Sequence, residues 1–337
     1  MLEIDGSRDE GGGAIVRLSV ALSALTGKPC RIKNIRANRK NPGLQRQHIA
    51  AVAAVAALCG ATVNGNEITS AELEFSPGKI TGGKIDIDIG SAGSIALVLQ
   101  ALMIPAMKSE SPVSVSVKGG TINKWAPSVD YIRNVTLPLL KKSGYCGEIG
   151  VRRHGFYPKG GGLVEAVIFP SSLTKFNIVK RGKLLRVYGT CTASKSLAAA
   201  KVAERIKTES MRLLRPFGIA PEIALEYVDA ASLGGGIGIF AQYENSVTGG
   251  SAVAEQARSA ESLAKEACEA LIKAHESGAA LDEHMADQIL PYLAITGGAA
   301  SAAAATAHCK SNAYVIEKFL GVKIKIIPEK NMIRFSA

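Results

Sequence analysis

Apolar residues recur along this chain at a helical spacing that gives way, again and again, to short strand-like runs. From about Gln47 to Cys59, the residues Ile49, Val52, Ala53 and Ala56 fall on one side of a predicted helix. Gly60 stops it, as a residue free to take positive φ does. ATVNGNEITSAELEF follows, which predicts two short strands around a turn. The same order returns twice. A helix from about Ser128 to Lys142 ends at Gly144 and leads into YCGEIGVRRHGFYPKGGGLVEAVIF. A helix from Asn312 to Leu320 ends at Gly321 and leads into VKIKIIPEKNMIRFS. Each copy is preceded by another glycine-led helical segment: GGGAIVRLSVALSAL, GSAGSIALVLQALMI, and the region from Asp282 through GGAASAAAATAHC. The pattern predicts an α/β chain of three units, roughly 1–78, 79–179 and 277–337, each with two helices on one small sheet.

Residues 180–276 interrupt this rhythm. The strand KLLRVYGTCTA is followed by a helix from about Lys195 to Leu214, with Ala199, Val202, Ile206 and Leu213 on one face. Two strands come next, IALEYVDA and IGIFAQYEN, and then a helix from about Val253 to His275. That β-α-β-β-α order predicts a small inserted α/β domain.

Composition places the chain among foldable proteins, with 47% apolar and 20% charged residues. Charge adds more. The formal net charge is +11, and no acidic residue occurs between Glu10 and Glu67. That stretch holds Arg17, Lys28, Arg31, Lys33, Arg36, Arg39, Lys40 and Arg46, a one-signed field that attracts polyanions. The six cysteines are scattered, with no C-x-x-C pair, so neither a zinc site nor a redox motif is indicated. Free cysteines fit a reducing cytoplasm. The start, Met-Leu-Glu-Ile-Asp, is unlike a signal peptide. The apolar stretch from Ile289 to Ala307 is broken by Pro291, Gly297 and Gly298, so no membrane span is expected.

Candidate chemistry rests on few residues. A lone histidine is more often a structural hydrogen-bonding residue than a catalyst. His308, in TAHCKSN, stands out because it opens the last predicted helix. Free N–H groups there suit a phosphate, and a neutral imidazole beside them is a nucleophile for the α-phosphorus of ATP. Glu10 precedes three glycines that open a helix, with Arg17 two turns on, again an arrangement that suits phosphate. RANRKNPGLQRQ, from Arg36 to Gln47, puts arginine forks on a loop just before a helix. The second triple glycine, Gly160 to Gly162 in HGFYPKGGG, joins two predicted strands.

Taken in order, these segments resemble the RNA 3′-terminal phosphate cyclases, essentially end to end. HGFYPKGGG, from His154 to Gly162, looks like the family's signature loop. DGSRDEGGG, IRANRKNPGLQRQH, GSAGS with Gln100, GGT followed by APSVDY, HMADQ and AHCKSN match in turn. The resemblance implies a large catalytic domain, 1–179 and 277–337, of three β-α-β-α-β-β repeats, each like the C-terminal domain of a translation initiation factor. It implies a smaller α/β domain inserted at 180–276. It also implies a ligase-type reaction: histidine takes AMP from ATP, AMP passes to an RNA 3′-phosphate, and the 2′-hydroxyl closes a 2′,3′-cyclic phosphate. By the same resemblance, His308 is the adenylated residue and Glu10 lies near a divalent metal, Mg2+ or Mn2+. Arg17, Arg36, Arg39 and Gln47 contact phosphates. Gln100, His284, Met285, Ala286, Asp287 and Gln288 form the nucleotide pocket, and Pro127 and Tyr131 pack on adenine. Ala14 departs from the family, where many members carry glutamine, so any contact from that side chain is missing.

Two other readings compete. A non-enzymatic branch of the same family serves in ribosome assembly, and it lacks the nucleophilic histidine and much of the phosphate-binding set, which are present here. Enolpyruvyl transferases use similar repeated units and basic loops, but need neither HGFYPKGGG nor a histidine at the last helix.

Overall fold

A computed structural model describes residues 1–337. Its strands form four four-stranded mixed sheets. In the first, Leu2–Asp5 pairs parallel with Cys30–Lys33, which pairs antiparallel with Leu73–Ser76, and that strand with Thr62–Asn64. The second repeats this order with Gly83–Asp88, Val113–Gly119, Gly162–Phe169 and Cys146–Arg153. The third repeats it with Phe176–Ile178, Gly298–Ala302, Ile333–Ser336 and Lys325–Pro328. Strand Phe176–Ile178 thus lies before the inserted segment in sequence and pairs beyond it in space. The sequence had grouped it with the second unit; a three-residue strand signals little about its partner.

The helices that cover these sheets are Gly13–Thr26, Arg46–Cys59, Ile95–Ala106 and Ala307–Leu320, with a shorter helical run over Val129–Lys141 and two short helices, Glu283–Gln288 and Leu290–Thr296. Helix Arg46–Cys59 is enclosed on most sides: Ala51, Val52, Val55, Leu58 and Cys59 are wholly buried, while Ile49, Ala53 and Ala56 of the expected stripe are only partly so. Neighbouring helices cover it from both flanks, so the apolar pattern has no single inner face. The alanine-rich GAASA, Gly298–Ala302, is a strand rather than part of a helix. Gly297 and Gly298, at φ of 70° and 121°, end the helix before it. The last helix begins five residues earlier than its periodicity suggested, at Ala307, which puts His308 in its first turn.

In the inserted segment, Leu184–Ser194 pairs parallel with Glu222–Val228 and antiparallel with Gly235–Tyr243, and the latter with Val247–Val253. That last strand is not predicted by the sequence pattern, which starts a helix at Val253. Its glycines are the reason it is a strand: a Cβ at Gly250 would sit 2.2 Å from the carbonyl oxygen of Ala267. The backbone needs glycine to let helix Ala260–Ser277 lie directly on it. The preceding helix begins at Val202, after Lys201 at φ 50°, rather than at Lys195.

Two apolar cores result. The main one joins 67 buried residues, and a second joins 19 between Val187 and Leu271. Phe240 and Val247 of the inserted sheet belong to the larger core. That sheet therefore has helices on one face and the main body on the other. Burying a ring such as Phe240 contributes about 2 kcal/mol to holding the two together. No helix is long and apolar enough to cross a membrane.

Candidate active site

One cavity of about 1160 Å³ lies where three helix N-termini meet. Helix Gly13–Thr26 presents Gly12, Gly13 and Ala14; helix Arg46–Cys59 presents Gln45, Gln47 and His48; helix Ala307–Leu320 presents Thr306 and His308. None has an acidic residue in its first turn, so three positive dipole ends face one space. Gly13 is required by close approach: a Cβ there would lie 2.1 Å from Nε2 of His48. His48 itself is buried, its Nδ1 accepting from the Gln45 backbone N–H at 3.0 Å. Burial first, then Arg17 and Arg36, push its pKa down to about 3. The ring is a neutral structural wedge that fixes how closely two helix starts approach, and the sequence offered no signal for it.

His308 is paired through Nδ1 with the Glu10 carboxylate, which is also paired with Arg39. Burial lowers the His308 pKa, Arg17 and Arg39 push the same way, and Asp287 opposes them. Burial thus favours the neutral imidazole, while Nδ1 faces the Glu10 carboxylate. Thr306, the residue before the helix, leaves its cap position unused. It donates instead to Asp287 at 2.7 Å, while Asn312 Nδ2 donates to the Asp287 carbonyl at 3.1 Å. Burial raises the Asp287 pKa against the pull of Thr306, His308 and Arg17.

Arg17 lies in the same space without any ion pair, and burial pulls its pKa down to about 10, with Asp287 opposing. Gln100 Nε2, Asn123 Oδ1 and Asn312 Oδ1 are buried at the cavity with no hydrogen-bond partner. Unsatisfied buried polar atoms are costly, and several around one cavity are suited to a polar ligand. Gln47 uses Oε1 to accept from the Ser94 N–H at 3.1 Å. Arg36 spends one nitrogen on the carbonyls of Asn41 and Gly43, at 2.6 and 2.7 Å, and so braces its own loop as well as lining the cavity.

On the opposite wall, Pro127, Tyr131, His284 and Gln288 come together. The Tyr131 hydroxyl donates to Asp282 at 2.6 Å, and Asp282 caps helix Glu283–Gln288 through the N–H groups of His284 and Met285. Asp282 also accepts from the Gly249 N–H at 2.8 Å, so one buried carboxylate joins three parts of the chain. The His284 ring stands edge-on to Tyr131 at 6.4 Å. Met285 and Ala286 do not line the cavity. Both are wholly buried in the main core, because two of every three or four positions on that short helix must face inward.

The sequence also missed the contribution of the inserted segment: Ser251, Ala252, Val253, Glu255, Arg258 and Glu266 complete the lining. HGFYPKGGG, in contrast, is absent from the lining. It docks the inserted segment. His154 Nε2 lies 3.6 Å from Glu226 and lowers that carboxyl's pKa, the Lys159 N–H donates to Ser232 at 3.1 Å, and Phe156 fills the space that a Cβ on Gly234 would need.

A free guanidinium, converging helix N-termini and a histidine backed by a carboxylate make this an α/β protein whose cavity is suited to handling phosphoryl groups. The family model for RNA 3′-terminal phosphate cyclase matches residues 8–326, and the chain belongs to that family. Among similar proteins, the RNA 3′-terminal phosphate cyclase of Methanopyrus kandleri is 45% identical over 97% of this chain and 95% of its own length. That of Methanothermobacter thermautotrophicus is 41% identical over 98% and 97%, and that of Pyrococcus furiosus 41% over 99% and 98%.

Proposed function

We propose that the chain converts an RNA 3′-terminal phosphate into a 2′,3′-cyclic phosphate, driven by ATP through an adenylated His308. The observation that carries this reading is His308, its Nδ1 against the Glu10 carboxylate, in one cavity with the unpaired Arg17. Nε2 attacks the α-phosphorus of ATP, the bond to the bridging oxygen breaks, and pyrophosphate leaves. Glu10 offsets the positive charge that develops on the ring as the new P–N bond forms. An oxygen of the RNA 3′-phosphate then displaces His308 from the adenylyl phosphorus and restores the neutral ring. The 2′-hydroxyl attacks the 3′-phosphorus, AMP leaves, and the ring closes. Needing that hydroxyl restricts the last step to RNA.

Within this scheme Arg17, Arg39 and the N–H groups opening helix Gly13–Thr26 hold phosphoryl oxygens. Arg36 and Gln47 position the loop and helix start beside them. Adenine is assigned to the wall of Pro127, Tyr131 and His284, with Gln100 and Gln288 in reach of its edge. Asp287 holds Thr306 and, through Asn312, the first turns of the histidine's helix. No group of three or more His, Cys, Asp or Glu side chains surrounds a point where a metal could sit. A lone carboxylate such as Glu10 fits Mg2+ or Mn2+ carried chiefly by phosphate oxygens and water. Such an ion, when bound, would neutralise charge on the phosphates.

Incubation with ATP labelled at the α-phosphate should leave acid-labile, alkali-stable label on the protein. Addition of RNA ending in a 3′-phosphate should discharge it and yield a cyclic end. Absence of label on the wild type, or equal label on His308→Ala, sinks the mechanism.

A further inference from the structure

Trp125 is the chain's only tryptophan and is 91% exposed at the rim of the cavity. Its φ is +58°, a left-handed conformation that a bulky side chain rarely takes. An apolar ring set in solvent on an unfavourable backbone gains nothing from within the chain, and such positions gather where ligands are gripped. Lys124 Nζ lies 4.8 Å from the ring centroid and is tied to Glu255 of the inserted segment. The cation is thus fixed over one face of the ring, and the other face stays open. The segment runs from Tyr131, 2% exposed at the cavity wall, to Trp125 at its rim. A nucleotide held whole within the cavity would leave Trp125 idle, whereas a strand whose end is inside must pass over the rim.

We propose that Trp125, with Lys124 beside it, is a stacking platform for a base of single-stranded RNA near the 3′-phosphate. This rests on the function proposed above for the position of the RNA end. Aromatic rings stack on bases without regard to sequence, and Lys124, tied to Glu255, braces the ring. The platform positions the strand and takes no part in bond making.

Because Trp125 is the sole tryptophan, its fluorescence reports this site alone. Titration of the wild type, without ATP, with a short oligoribonucleotide ending in a 3′-phosphate should give saturable quenching. An oligonucleotide with its last two positions abasic should quench far less, and ATP alone should not quench. Trp125→Ala should raise KM for the RNA in cyclisation by about tenfold, with kcat and ATP labelling of His308 unchanged, and Trp125→Phe should recover part of the loss. Equal quenching by the abasic strand, an unaltered KM, or quenching by ATP alone with lost labelling overturns the proposal; the last outcome gives the ring to adenine. Failure of the proposed function reads differently: the wild type takes no label from ATP, while quenching by RNA, measured without ATP, is unaffected.

Discussion

Along the glycine-led wall of the cavity, Arg17 is half-buried without an ion pair, and Gln100 Nε2 and Asn312 Oδ1 lack partners. Across the opening, on the inserted segment, Arg258 is paired with Glu266 and Glu255, and Glu255 with Lys124. Both walls are charged, but only one is unsatisfied. A half-exposed cation that already has its carboxylate gains little from a ligand. One without a carboxylate gains more when an anion arrives. In the proposed function, the difference assigns the anionic part of a ligand to the glycine-led wall.

The largest expected effect is at His308, where substitution by alanine removes the acceptor atom itself. Covalent label from ATP should vanish while the fold, followed by circular dichroism, stays. Arg17→Met should come next, slowing labelling by about a hundredfold, the scale for losing one preorganised charge donor. Arg17→Lys should restore little, since burial that draws a guanidinium down to about 10 brings an ammonium nearer neutrality. Gly13→Ala forces a methyl against His48 and should cost about 1–3 kcal/mol in urea unfolding.

His48 adds a pH test. Its folded pKa, near 3, lies below the ordinary 6.5, so the unfolded chain binds the extra proton between those values. Stability therefore falls as pH drops through that window, by about 1 kcal/mol per unit. His48→Asn, which keeps an acceptor for the Gln45 N–H and cannot titrate, should flatten that acid limb. Arg258→Ala should do least, costing at most about 1 kcal/mol, with less effect at high salt. An Arg258→Ala loss of labelling equal to that of Arg17→Met breaks the contrast between the walls.

Much of the scaffold was legible because glycine and apolar spacing act locally. Gly60, Gly144 and Gly321 end helical segments where the sequence placed the stops. The acid-free arginine stretch and the triple glycine mark a phosphate-seeking surface for the same local reason. Where sequence reasoning went astray, distant packing had overruled local pattern. Val247–Val253 is a strand because Gly250 admits a helix carbonyl, and Phe176–Ile178 pairs with a strand more than a hundred residues away. Met285 and Ala286 shared a motif with the cavity residues, yet the helical turn of about 100° per residue sends these two to the core and leaves His284, Asp287 and Gln288 at the cavity.

The sequence by itself determined the class of fold, the basic character of the N-terminal region and the set of residue types able to handle phosphates, since these follow from periodicity, composition and the chemistry of single side chains. Only the tertiary structure decided which charges are paired, which carboxylate stands against His308, and that HGFYPKGGG holds the inserted segment rather than the ligand cavity. Pairing, burial and approach depend on residues far apart in the chain, and spacing along one strand of sequence carries no record of them.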